Sequence, residues 1–123
     1  MRLLITNNKN VKEFFEPIEK YTVDFIDGGY VDVLLKVRDY VHKNYALLTH
    51  PLSGSIKPNE TPYKSIAVES GSELDMFSLE LIDNAISVYE KLQNDLKTPL
   101  WRENILDDFR VIDLDLIKHA LIK

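Results

Sequence analysis

Three times before Pro51, a short apolar run is cut off by a polar junction. Leu3-Leu4-Ile5 ends at Thr6-Asn7-Asn8, the run from Tyr21 to Ile26 ends at Asp27-Gly28-Gly29, and the run from Tyr45 to Leu48 ends at Thr49-His50-Pro51. Threonine, asparagine, aspartate and glycine favour turns and helix caps, so each run reads as a strand delivered into a turn. Between the runs the apolar period becomes that of a helix. Val11 to Glu19 places Val11, Phe14, Phe15 and Ile18 on one side, with Pro17 late enough to end or bend the helix. From Tyr30 to Lys43, residues Tyr30, Val33, Leu34, Val37 and Val41 recur at spacings of three and four, while Asp32, Lys36, Asp39 and Lys43 lie outward. Alternation of this kind confines a chain to α/β layers, because each amphipathic helix must bury its stripe on a sheet.

Beyond Pro51 the pattern loosens. A polar loop of about 14 residues, Thr49 to Pro62, carries three of the five prolines: Pro51, Pro58 and Pro62. Irregular connections this long are uncommon in compact domains. The prolines fix backbone angles and reduce the entropy lost when such a loop settles. Tyr63 to Val68 reads as a fourth strand, broken by Gly71-Ser72, with Ser72 the candidate cap of a long helix from Glu73 to Lys97. Leu74, Phe77, Leu81, Ala85, Val88 and Leu92 form its apolar stripe, broadened by Ile82, Ile86 and Tyr89. Thr98-Pro99 stops it. The tail reads as two short helices, one holding Trp101, Ile105, Leu106 and Phe109, the other capped by Asp113 and holding Leu114, Ile117, Leu121 and Ile122. The expected architecture is a single α/β domain over residues 1–123 with a mostly parallel four-stranded sheet in two or three layers, a long C-terminal helix and short terminal helices. The loop before the fourth strand has no helix of its own, so that strand's direction stays open.

Composition removes several kinds of chemistry. With no cysteine, disulfides, thiolate catalysis and cysteine-based metal centres are out. A net charge of −5 argues against a broad phosphate-backbone footprint, so nucleic acid is not an expected partner. No apolar run approaches the roughly 20 residues of a membrane-spanning helix, and no membrane partner is expected. The opening residues are too short in apolar character for a signal peptide, which makes the cytoplasm the expected location. A domain of 123 residues is also compatible with a homodimer.

If the first three strands are parallel, their carboxyl ends share one rim, where open α/β sheets bind their ligands. Thr6, Asn7, Asn8, Gly28, Gly29, Thr49 and His50 stand at that rim, and Ser53, Gly54, Ser55, Lys57, Asn59 and Glu60 follow in the loop. These are the candidate ligand-binding residues. Gly54 lets backbone N–H groups approach an anion and Lys57 supplies charge, so a small anionic metabolite is the ligand they suit. Thr61, Lys64 and Ser65 add polar groups just beyond. Each candidate has a plainer reading: the asparagines as helix caps, Asp27-Gly28-Gly29 as a tight turn, the loop as a cover for the sheet edge. Neither a Walker A ending nor a dinucleotide fingerprint is present. His50 is the candidate catalytic residue, since an unperturbed imidazole can take or give a proton near neutrality. Its plainer role is to hydrogen-bond its own loop. His42 and His119 read as surface residues of helices, the histidines lack metal-ligand spacing, and Ser53 and Ser55 lack the setting of a nucleophilic serine. No metal and no cofactor is expected.

The stretch from Leu47-Leu48-Thr49-His50-Pro51-Leu52-Ser53-Gly54-Ser55-Ile56-Lys57-Pro58 through Asn59-Glu60-Thr61-Pro62-Tyr63-Lys64-Ser65 resembles the central motif of the GrdX family. Leu4-Ile5-Thr6-Asn7-Asn8 resembles that family's amino-terminal signature, and the chain length is similar too. The resemblance implies a setting beside the glycine, sarcosine and betaine reductase systems of anaerobic bacteria. Those systems work through selenoprotein subunits, with thioredoxin as electron donor and acetyl phosphate as product. A chain without cysteine does not itself run their thiol steps, so the resemblance implies an accessory or regulatory role, with a reductase-system subunit or a small anionic metabolite as partner. The alternative is a small enzyme with His50 as acid or base, Lys57 holding an anionic group and Glu60 orienting or sharing a proton.

Overall fold

The protein is seen in a computed structural model that describes residues 1–53 and 56–122. Its elements run β1 (Arg2–Thr6), α1 (Lys9–Phe15), β2 (Thr22–Phe25), α2 (Tyr30–Val41), β3 (Tyr45–Leu47), β4 (Ser65–Ser70), α3 (Met76–Asp95) and α4 (Glu103–Leu121). The four strands form one sheet in the order β2-β1-β4-β3. β1 and β2 are parallel, but β4 lies antiparallel between β1 and β3. The sheet is therefore mixed, where the alternation of elements predicts a mostly parallel one. The reason is the connection from β3 to β4. A parallel return needs a crossover, usually a helix; the proline-rich loop supplies none, so β4 begins at the rim where β3 ends. β1, β2 and β3 still point the same way, and their carboxyl ends share that rim with the start of β4.

Strand alternation sorts the core into two faces. Leu3 and Ile5 of β1 and Ile66 and Val68 of β4 face one way, against Val33, Leu34 and Val37 of α2 and Ile82 and Ala85 of α3. Leu4 and Ala67 face the other way, against Val11 and Phe15 of α1 and Ile117 of α4. The result is three layers, α2/α3, sheet, α1/α4. Thr6 and Ser65 continue the rows of Leu4 and Ala67, and so point at α4 rather than at α2.

The helices depart from their sequence-based bounds in instructive ways. α1 stops at Phe15: Glu16 still has helical dihedrals and closes on the Lys12 carbonyl, but Pro17 has no N–H with which to extend the ladder. α3 begins at Met76 with Asp75 as its cap, not Ser72. Its buried residues are Ser78, Ile82, Ala85 and Ile86, while Phe77 of the expected stripe is 69% exposed. Ser78 fixes this rotation: its hydroxyl accepts from the Leu47 N–H on edge strand β3 (2.9 Å) and donates to Asp75 (2.5 Å). The tail is a single helix of 19 residues instead of two short ones. No glycine or proline interrupts Glu103–Leu121, and Asp113 is not a cap but a buried residue in mid-helix. Among the described residues, no helix is long and apolar enough to cross a membrane.

Candidate functional site

At the shared rim, Asn7 ties three segments together. Its side-chain amide donates to the carbonyls of Gly28 (3.1 Å) and Pro62 (2.8 Å), and its oxygen accepts from the Lys64 N–H (2.9 Å). Both amide donors and the acceptor are thus engaged within the protein. The junction after β2 and the end of the long loop are pinned to the tip of β1 by one residue.

Beside Asn7 runs a buried polar chain whose direction can be worked out. The Asp113 Oδ2 accepts from the Asn8 amide (3.0 Å) and from the Ser65 hydroxyl (2.8 Å). Since Ser65 spends its proton there, the Thr6 hydroxyl must donate to Ser65 Oγ (2.7 Å), while Thr6 Oγ1 accepts from the Asn8 N–H (3.0 Å). Asn8 also caps α1 through Asn10 N–H (3.0 Å) and donates to the Arg110 carbonyl (2.8 Å). Every donor in the chain points toward Asp113. Thr6 and Asn8 are fully buried, so these bonds compensate for solvation that water cannot supply.

Asp113 and Lys64 meet at a cleft between the end of the loop and α4. Lys64 is buried, and its ammonium donates to the Ser53 carbonyl (3.2 Å). Burial lowers the Lys64 pKa, opposed by the charge of Asp113; burial raises the Asp113 pKa, opposed by the Asn8 and Ser65 hydrogen bonds and by Lys64. Tyr30, stacked on Tyr89 at 5.5 Å, faces the same space, and burial also raises its pKa. Ile56, Phe109, Ile112 and Leu116 supply apolar walls. The cleft opens to solvent, and its enclosed part is narrow, with room for about one water molecule. Below the cleft, buried Arg110 donates to the Tyr63 hydroxyl (2.7 Å), pairs with Glu103 and reaches Asp107 (3.5 Å).

The expected site residues divide into groups. Thr6, Asn7 and Asn8 are structural members of the rim, with Ser53 above the cleft. Gly28 and Gly29 form the turn before α2, where the Gly29 N–H is capped by Asp32 (2.7 Å). The Thr49 hydroxyl, buried, accepts from the Ala67 N–H (3.1 Å). His50 is exposed, accepts from the Leu52 N–H (3.0 Å) through Nδ1, and lines a separate groove beside Asp75 and Phe77. Lys57 is exposed, and its N–H is held by the Glu60 carboxylate (3.2 Å). The Asn59 amide donates to the Leu96 carbonyl (3.0 Å) at the end of α3. Gly54 and Ser55 lie outside the described residues. Sequence reasoning names Lys64 only as a further polar group beyond the loop, and leaves Tyr63, Tyr30, Arg110 and Asp113 out of the site. One signal for Arg110 and Asp113 exists: the row Leu106, Arg110, Asp113, Ile117, Leu121 has helical spacing, and these two charged residues interrupt it.

These features define a three-layer α/β protein that closes one sheet rim with a proline-stiffened loop and holds a lysine and a carboxylate in the cleft behind it. The family model for GrdX-like protein matches residues 3–122, and the chain belongs to that family. No curated protein and no solved structure matches it.

Proposed function

We propose that this protein is an accessory component of a glycine-type amino-acid reductase system that holds a small carboxylate- or phosphate-bearing metabolite in the Lys64–Asp113 cleft. Membership of the GrdX-like family supplies the association with glycine reductase systems. The observation that carries the binding reading is Lys64: a buried ammonium with one hydrogen bond among the described residues, to Ser53, facing a cleft at the strand-end rim. A buried cation with spare donors favours an anionic group beside it. The family setting adds a reductase-system subunit as protein partner, and co-purification from the native host tests that part.

Thermal denaturation with millimolar acetate, acetyl phosphate or glycine tests the cleft. A ligand at ten times its Kd stabilises by about 1.4 kcal/mol, a rise of about 5 °C for a domain of this size. Lys64→Met is expected to abolish the rise. If none of the three compounds moves the midpoint at 10 mM (a test concentration), or if the variant responds like the wild type, the reading is wrong.

A further inference from the structure

Away from the cleft, the two ends of α3 carry apolar surfaces of opposite charge. We propose that the protein forms a two-fold dimer in which the α3–α4 linker of each copy docks in the groove beside Phe77 of the other. That groove lies between the amino-terminal end of α3 and the end of β3, where Leu47, Leu48, Phe77 and Leu81 supply its apolar lining and Asp75 a carboxylate. Phe77 and the neighbouring Met76 are left largely to water, at 69% and 56% exposure. A cluster of exposed apolar residues beside a groove marks a contact site. Its surroundings are acidic: from Ser65 to Glu90 the sequence holds six carboxylate residues and no lysine, arginine or histidine. Glu73 and Glu80, on either side of Phe77 in the sequence, are both exposed. The occupant that suits this groove is therefore apolar and basic.

Such a segment stands at the other end of the same helix. The linker from Leu96 to Arg102 carries Lys97 and Arg102 and no carboxylate. Leu96 is 68% exposed and Leu100 fully exposed. The linker is nonetheless held in shape. The Gln93 side chain accepts from the Thr98 N–H (3.2 Å) and donates to the Thr98 hydroxyl oxygen (2.7 Å). The Trp101 indole donates to the Glu60 carbonyl (2.7 Å), and its ring packs on Phe109 at 5.6 Å. Between these two anchors Pro99 restricts the backbone and Leu100 projects into solvent. An apolar side chain presented on an ordered segment loses little further entropy on docking.

The two surfaces lie at opposite ends of a 20-residue helix, about 30 Å apart, so the linker does not reach its own groove. Two copies with their α3 helices antiparallel bring each linker to the other's groove. The contact is then made twice and the assembly closes. Glu80 and Lys91, both exposed, stand equally far from the middle of α3, so the same arrangement sets opposite charges across from each other.

Sedimentation of the full chain tests this, read up to about 200 µM because contacts of modest size associate weakly. The wild type is expected to pass from monomer to dimer over that range. Phe77→Ser and Leu100→Ser change exposed positions, so each should keep the urea midpoint and lose at least tenfold in dimer affinity. An equimolar mixture of the two variants is expected to dimerise better than either alone, because the intact groove of one receives the intact linker of the other. A wild type that stays monomeric overturns the proposal and assigns the groove to a different protein. A mixture no better than its components also overturns it, the result expected if Phe77 packs against Phe77 of the second copy.

Discussion

Asn8→Asp is the most demanding perturbation of the polar chain, because a helix cap by itself would not feel it. Asparagine and aspartate are nearly equal at a helix N-cap, and the helix dipole favours the charged one. A residue that only capped α1 would thus change stability by less than about 0.5 kcal/mol. Here the new carboxylate oxygen replaces an amide that donates to the Arg110 carbonyl (2.8 Å) and to Asp113 (3.0 Å), in a residue with 0% exposure. Losing two buried hydrogen bonds removes about 2 kcal/mol, with a further penalty for the unpaired carbonyl. Two carboxylates at that separation cannot both stay ionised, so one proton is held above the ordinary carboxylate range. Each tenfold gain in proton affinity corresponds to about 1.4 kcal/mol. The total deficit at neutral pH is about 4 kcal/mol.

The sign with pH follows from which state holds the proton more tightly. In the variant the folded pair does, so the folded state gains as pH falls and its stability is lost as pH rises through the folded pKa. Asn8→Ala also removes a hydrogen bond that holds the Asp113 pKa down, so its deficit shrinks as pH falls as well; Asn8→Asp, which adds a second carboxylate, should recover more steeply between pH 7 and the unfolded carboxylate value of about 3.9. Urea denaturation of the three proteins across that interval reads the difference. A variant within about 0.5 kcal/mol of wild type at pH 7, or a deficit equal to that of the alanine at every pH, would refute the geometry assigned to Asn8 and Asp113.

Two further substitutions probe the elements that flank the rim. Ser78→Ala leaves the Leu47 N–H of edge strand β3 without its acceptor and should lower stability by about 1–3 kcal/mol, read as a drop in the urea midpoint at unchanged slope; an unchanged midpoint would mean that α3 is not anchored to β3 through Ser78. At Gly28, an added Cβ would stand 2.5 Å from Asp32 Oδ2, forcing that side chain off the Gly29 N–H it caps. Gly28→Ala should therefore cost about 1 kcal/mol, and Asp32→Ala should add little on top of it; additive losses would show the two to be independent.

The three strand ends are legible in the sequence because local chemistry decides them. Asn7 and Asn8, Gly28 and Gly29, and Thr49 all interrupt apolar runs, and a shared rim follows from parallel strand directions. The roles of these residues are not legible in the same way. Asn7 spends its whole side chain on Gly28, Pro62 and Lys64, two of them more than 50 positions away, and no local pattern encodes such pairings. Lys57 is the more obvious cation in the loop, yet Lys64, next to the strand, is the one that is buried. A charged residue's burial is a tertiary fact, set by what packs over it. Asp113 reads as a cap because aspartate before an apolar run is a good cap signal; in an uninterrupted helix the same residue falls on the inner row, opposite Thr6 and Ser65.

The placement of β4 links the unexpected topology to the cleft. Antiparallel pairing sets Ser65 directly across from Thr6, on the side facing α4, and brings Lys64 to the tip of β1. Had the connection crossed the sheet and returned parallel, the carboxyl end of β4, Glu69 and Ser70, would occupy that rim. Lys64 and Ser65 would then stand at the opposite edge, out of reach of Asp113. A carboxylate buried against apolar helices without those partners would be stable only in its protonated form. The loop that replaces a crossover helix therefore does more than connect β3 to β4: by keeping both of its ends at one rim, it supplies the donors that allow Asp113 to sit inside α4 and the ammonium that shares its cleft.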